Sequence, residues 1–145
     1  MSMEFDGLCP LLQVFDMPTA VRFYRDVFGF EIVSRSPTYA VENGEELFHW
    51  VLLKHGFTEL MLNTAYDEGE RPECADVTHV EAHLDTGLFI GCRNLDAAHD
   101  HLRAHGVACD PPRIAHYGMR QLSLRDPDGY GITLQWPVEP DTLVA

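Results

Sequence analysis

The strongest constraint on this 145-residue chain is that its sequence repeats itself. An apolar run, Leu11-Leu12-Gln13-Val14-Phe15, gives way to Asp16-Met17-Pro18-Thr19 and then to Val21, Tyr24 and Phe28 ahead of Gly29. A short apolar run passing through a capping residue into helical spacing reads as strand, cap and helix, with the glycine as a left-handed stop. The same grammar returns at Ile90-Gly91-Cys92-Arg93, then Asn94, the apolar set Leu95, Ala98 and Leu102, and Gly106-Val107. Met17, Ala20, Tyr24 and Arg25 match Leu95, Ala98, Leu102 and Arg103 at an offset of 78, whereas Gly29 and Gly106 match at 77. A chain of this length holds about one domain, so two related units must share it.

Strand-like sequence follows each helix. It runs over Phe30 to Val33, Phe48 to Leu53 and Thr58 to Leu62 in the first half, and over Arg120 to Leu124 and Gly131 to Trp136 in the second. Lys54-His55-Gly56-Phe57 and Asp126-Pro127-Asp128-Gly129 have the residues that tight turns need, so the latter is read as structural rather than catalytic. Each unit is therefore βαβββ and the class is α+β. Module one covers about 5–64, a polar linker about 65–84 and module two about 85–137. Two tandem modules of curved mixed sheet, each covered on one face by its helix, predict a cup, and concave apolar cups are the usual small-molecule sites. The largely apolar stretch Phe48 to Leu53, interrupted by His49, predicts burial on both faces of its strand, and hence a homodimer.

Charge narrows the partners. Ten Lys and Arg against 23 Asp and Glu leave a formal charge of −13, which disfavours nucleic acid and anionic membranes and slightly favours cationic ligands. No apolar run approaches the ~18–20 residues of a membrane span, and the N-terminus lacks a basic region followed by an apolar one, so a cytoplasmic protein is expected. Cys9, Cys74, Cys92 and Cys109 form no CxxC pair and are read as free thiols.

Other motifs are read conservatively. His79-Val80-Glu81-Ala82-His83 is not HExxH, because its glutamate is one place late, and its histidines are expected to be solvated in the linker. His99, His101 and His105 are placed on the polar face of the second helix. Neither GxSxG nor a phosphate-cradling glycine loop occurs.

Two stretches carry a family resemblance. Val14-Phe15-Asp16-Met17 followed by Phe23-Tyr24-Arg25-Asp26-Val27-Phe28-Gly29-Phe30 resembles the opening signature of the vicinal oxygen chelate superfamily of glyoxalases, bleomycin resistance proteins and extradiol dioxygenases. Tyr117-Gly118-Met119-Arg120-Gln121-Leu122-Ser123-Leu124-Arg125-Asp126-Pro127-Asp128-Gly129-Tyr130 resembles the close of its glyoxalase and bleomycin-resistance-type members. The resemblance spans nearly the whole chain and implies the glyoxalase/bleomycin resistance fold.

In enzymes of that superfamily a divalent metal is held by His, Glu or Gln from the first and last strand of each module. Carried onto this chain, those positions fall on Cys9, Glu59, Gly87 and Thr133. Glycine offers no ligand and neutral threonine is a poor one, which leaves Glu59 and, for a soft metal, Cys9, where a catalytic site needs about three ligands. The resemblance then implies a metal-free binding protein without a cofactor, sequestering a small aromatic or cationic compound in a dimeric cup, as resistance-type binders do. Its expected contacts are Gln13, Trp50, Glu59, Met61, Phe89, Tyr117, Thr133 and Gln135. The alternative is a lyase, isomerase or dioxygenase in which Glu59, Cys9 or an unexpected His completes an atypical site for Zn, Ni, Mn or Fe, with Glu59 also a candidate base. A regulatory partner whose cup is plugged by side chains is the third reading.

Overall fold

The computed structural model describes residues 2–139. The chain divides after Glu73 into two compact units. The first runs β1 (Leu11–Val14), helix α1 (Met17–Arg22) with a π-helical turn (Phe23–Val27), β2 (Glu31–Arg35), a hairpin of β3 (Ala40–Glu42) and β4 (Glu45–Leu47), β5 (Trp50–His55) and β6 (Thr58–Thr64). The second runs α2 (Val77–Ala82), β7 (Gly87–Gly91), α3 (Leu95–Ala104), β8 (Arg113–Ile114), β9 (Met119–Arg125) and β10 (Gly131–Pro137). The sheets are ordered β1-β6-β5-β2 and β7-β10-β9-β8. In both, the first strand lies parallel to the last and the remaining neighbours are antiparallel. The fold is thus α+β, with the βαβββ topology built twice; among the described residues the β3–β4 hairpin has no counterpart in the second unit.

Capping starts each main helix where the sequence places it. The Asp16 carboxylate accepts the Thr19 N–H at 3.2 Å, and the Asn94 side chain accepts the Ala97 N–H at 3.0 Å. Pro18 stands in the first turn, where its missing N–H is not needed. Between their starts and their glycine stops the first helix has one residue more than the second. The extra residue is taken up as the π turn, in which the Phe28 N–H reaches back five residues to the Phe23 carbonyl at 3.1 Å. The change of offset from 78 to 77 is this turn. Gly29 then needs its glycine twice over, for a φ of +79° and because a Cβ would stand 3.2 Å from His55 Nδ1, which bonds the Gly29 carbonyl at 2.8 Å.

The two-residue period of the strands sorts their side chains. Leu12, Val14, Val51, Leu53, Leu60 and Leu62 are buried on the face that α1 covers, together with Ala20, Val21 and Tyr24. In the second unit Leu122, Leu124, Ile132 and Leu134 lie under α3 with Leu95 and Leu102.

Three expectations are corrected. The Phe48–Leu53 run is not one strand: β5 begins at Trp50, Val51 and Leu53 are buried within the subunit while Trp50 and Leu52 are half-buried, and Phe48 packs ahead of the strand with the Arg35 guanidinium 4.6 Å from its ring centroid. The linker holds α2, so His79 and His83 do share a face and are not solvated. His83 is buried, stacks on Tyr130 with ring centroids 3.8 Å apart, and bonds the Asp128 carbonyl at 2.9 Å. His99 is also largely covered, with its Nε2 buried, whereas His101 and His105 are exposed as expected.

Candidate functional site: the helix-free sheet faces

Residues that alternate with the core positions line the other face of each sheet. In the first unit the pairings Leu11 with Met61, Gln13 with Asn63, Trp50 with Asn63, Leu52 with Met61 and Lys54 with Glu59 put all of these side chains on one face. Gln13, Trp50, Glu59 and Met61 are therefore brought together. Leu11, Leu52, Trp50 and Met61 form an apolar shelf; beside it the Asn63 Nδ2 donates to the Gln13 Oε1 at 3.5 Å. Leu11, Leu52 and Asn63 were missed, although counting by twos from Gln13, Trp50 and Met61 would have found them.

In the second unit Phe89 pairs with Thr133, Thr133 with Ser123, and Gln135 with Gln121, again on one face. Two polar groups lie on it: Gln121 Nε2 donates to the Tyr117 hydroxyl at 2.6 Å and to Gln135 Oε1 at 3.0 Å, and the Ser123 and Thr133 hydroxyls lie 3.1 Å apart. Phe89, Tyr117, Thr133 and Gln135 are thus also brought together, with Phe89 60% and Tyr117 58% exposed. Gln121 and Ser123, one in each group, were missed because each reads as ordinary strand polar sequence. The four predicted contacts of each unit share one face of that unit's sheet.

The repeat also tests the metal positions. Leu11 pairs with Met61 and its counterpart Phe89 with Thr133, so Thr133 corresponds to Met61, and Glu59 corresponds to Gly131 rather than to Thr133. Gly131 pairs with Gly87, so both equivalent positions in the second unit lack a side chain. In the first unit, burial raises the Cys9 thiol above its ordinary range and the nearby Glu59 charge adds to this, keeping it protonated. Glu59 itself lies 3.9 Å from Lys54 Nζ, both half exposed, a weak pair. Among the described residues no three His, Cys, Asp or Glu are gathered as a metal would need. This donor set does not fit a metal of the type the fold's enzymes hold.

The family model of the Glyoxalase/Bleomycin resistance protein/Dioxygenase superfamily matches residues 8–134. The chain belongs to this superfamily. Solved structures of similar fold include TnmS3, an antibiotic-binding protein from Streptomyces sp. CB03234, at 22% identity over 94% of this chain and 100% of that one, with a TM-score of 0.65. A bleomycin-binding protein from Streptomyces verticillus, solved with copper(II)-bleomycin, has 21% identity over 92% and 97%, with a TM-score of 0.62. An integron cassette protein from V. cholerae has 25% identity over 93% and 98%, also at 0.62. These likenesses speak to the superfamily fold; no curated protein gives a match. None of the described helices is long and apolar enough to cross a membrane.

Proposed function

We propose that this superfamily member binds a small, partly aromatic, cationic molecule without the help of a metal, on the helix-free face that carries Trp50, and does so as a homodimer. One observation carries the reading: the face joins an apolar shelf of Leu11, Trp50, Leu52 and Met61 to an amide pair, Gln13 and Asn63, and to a carboxylate, Glu59, while the positions that would chelate a metal do not make a set. Apolar area with a few placed polar groups is what a small-molecule site requires. The chain's charge of −13 supports a cation, and the antibiotic-binding and bleomycin-binding proteins of the same fold support the ligand class.

Tryptophan fluorescence tests this directly, because the chain has two tryptophans and Trp136→Phe leaves Trp50 as the sole reporter. A bleomycin-class panel is expected to quench Trp50 saturably and to raise the melting temperature. Salt should weaken the binding, and Trp50→Ala should weaken it about ten-fold or more, or ~1.4 kcal/mol. No quench and no melting shift across the panel would sink the proposal.

Calorimetric titration of chelator-stripped protein with Zn, Ni, Mn and Fe(II) tests the metal-free part. No stoichiometric binding that depends on Glu59 is expected; tight binding abolished by Glu59→Gln would restore the metal-dependent lyase, isomerase or dioxygenase reading. Sedimentation of the same sample reads the homodimer.

A further inference from the structure

The first unit also has a cavity of about 350 Å3, within the size range of ligand pockets. It lies on the helix side of the sheet, since the Thr64 that lines it follows Leu60 and Leu62 in the buried phase of β6, opposite to Trp50 and Met61. Three half-buried rings line it, Phe15, Tyr39 and Tyr66. Phe15 and Tyr66 meet edge to face at 6.2 Å. Tyr39 stacks on His49 with ring centroids 4.1 Å apart, and His49 Nδ1 is 2.9 Å from the Thr64 hydroxyl, so this wall is held in place.

Four carboxylates share the lining, Asp16, Glu42, Asp67 and Glu68, against one cation, Arg71. Arg71 makes an ion pair with Asp16 and lies over the Phe15 ring at 5.2 Å. Burial tends to raise the Asp16 carboxyl, but hydrogen bonds from Thr19 and Arg71, with the Arg71 charge, hold it below its usual range. Glu42, Asp67 and Glu68 make no salt bridge among the described residues, and these carboxylates are not gathered into a metal-holding group. Burial pushes the Tyr39 phenol up, with the Glu68 and Glu42 charges adding to it, so the negative field reaches the rings. The cavity therefore already seats one guanidinium, on a ring and a carboxylate, and has further rings and unneutralised carboxylates beside it.

We propose that this cavity is a second binding site, taking a small planar organic cation of the amidinium or guanidinium class, with Arg71 as the chain's own partial occupant. A flat delocalised cation can lie on a ring face and share a carboxylate through paired N–H donors, the two contacts that Arg71 combines here. The site does not depend on the Trp50 face, and either reading can fail alone.

Benzamidine is the probe, with neutral benzamide and anionic benzoate as shape controls, followed by amide NMR. Benzamidine is expected to bind with a Kd of about 0.1–1 mM, suited to so small a ligand, and to shift Tyr39, Tyr66 and Glu68 rather than Trp50 or Met61. Neither control should bind. The exposed double variant Glu42→Gln/Glu68→Gln should weaken binding roughly 3–10-fold, and Arg71→Gln should tighten it by a similar factor, as expected when a competing charge is removed. No binding at ~10 mM, equal binding of benzamide, shifts confined to the Trp50 face, or an unchanged Kd in both variants would each overturn the proposal.

Discussion

A Tyr24→Ala chain is expected to lose about 3–5 kcal/mol of unfolding free energy, a large part of the ~5–15 kcal/mol typical of a domain. Tyr24 is 1% exposed, and its ring lies 5.1, 5.7 and 5.9 Å from those of Phe23, Phe28 and Phe30, each close to edge on. Truncation removes one ring and strips a neighbour from three others, at the point where the helix turns back to the sheet. Urea unfolding followed through Trp50, with Trp136 replaced by phenylalanine, reads the first unit. A loss below ~1 kcal/mol for the alanine variant would mean that the four rings do not act as one packed cluster.

The second unit has a polar counterpart to that cluster. Asp126 is 6% exposed, and its Oδ1 accepts the Asp128 and Tyr130 N–H groups, each at 2.9 Å, holding the turn on which His83 stacks and to which it bonds. Asp126→Ala would take the shared acceptor from both donors, at an expected cost of about 2–4 kcal/mol. Asp126→Asn keeps an oxygen that can accept both and should recover most of the loss. Urea unfolding followed through Trp136, with Trp50 replaced, measures this; equal losses for the alanine and asparagine variants would rule out the acceptor role. The turn is thus a structural device, as its sequence suggests.

Some of this molecule can be read from sequence because strands and helices advertise their periods. Leu60, Leu62 and the intervening Met61 declare two faces, and the capping residues Asp16 and Asn94 mark the helix starts. The contact set around Trp50 follows from that alternation alone. Other features leave no periodic trace. The β3–β4 hairpin shows no clean alternation, since Val41 is exposed and three of its six strand residues are Glu; its one sequence signal is the Asn43-Gly44 turn, both residues at positive φ. Helix α2 has six residues and no buried apolar side chain, so its seating, through His83 on Tyr130 and Val80 beside Gly129, has no periodic signal. The correspondence of Glu59 with Gly131 needs the pairing of each last strand with its first, which sequence spacing within a module does not contain. The cavity gathers Phe15, Tyr39, Tyr66 and Arg71 from segments separated along the chain, and only the fold makes them neighbours.

The widened turn at Phe23–Val27 has a bearing on how such a chain can change. An added residue in a strand would exchange its buried and open sides and destroy both the core and whatever the open side binds. Added in the first helix, it is swallowed within a single turn, and Leu11 with Met61 still answers to Phe89 with Thr133. The helices are thus where this duplicated architecture can accept length mutations silently, leaving its two halves free to drift apart in composition while their strands stay comparable position by position.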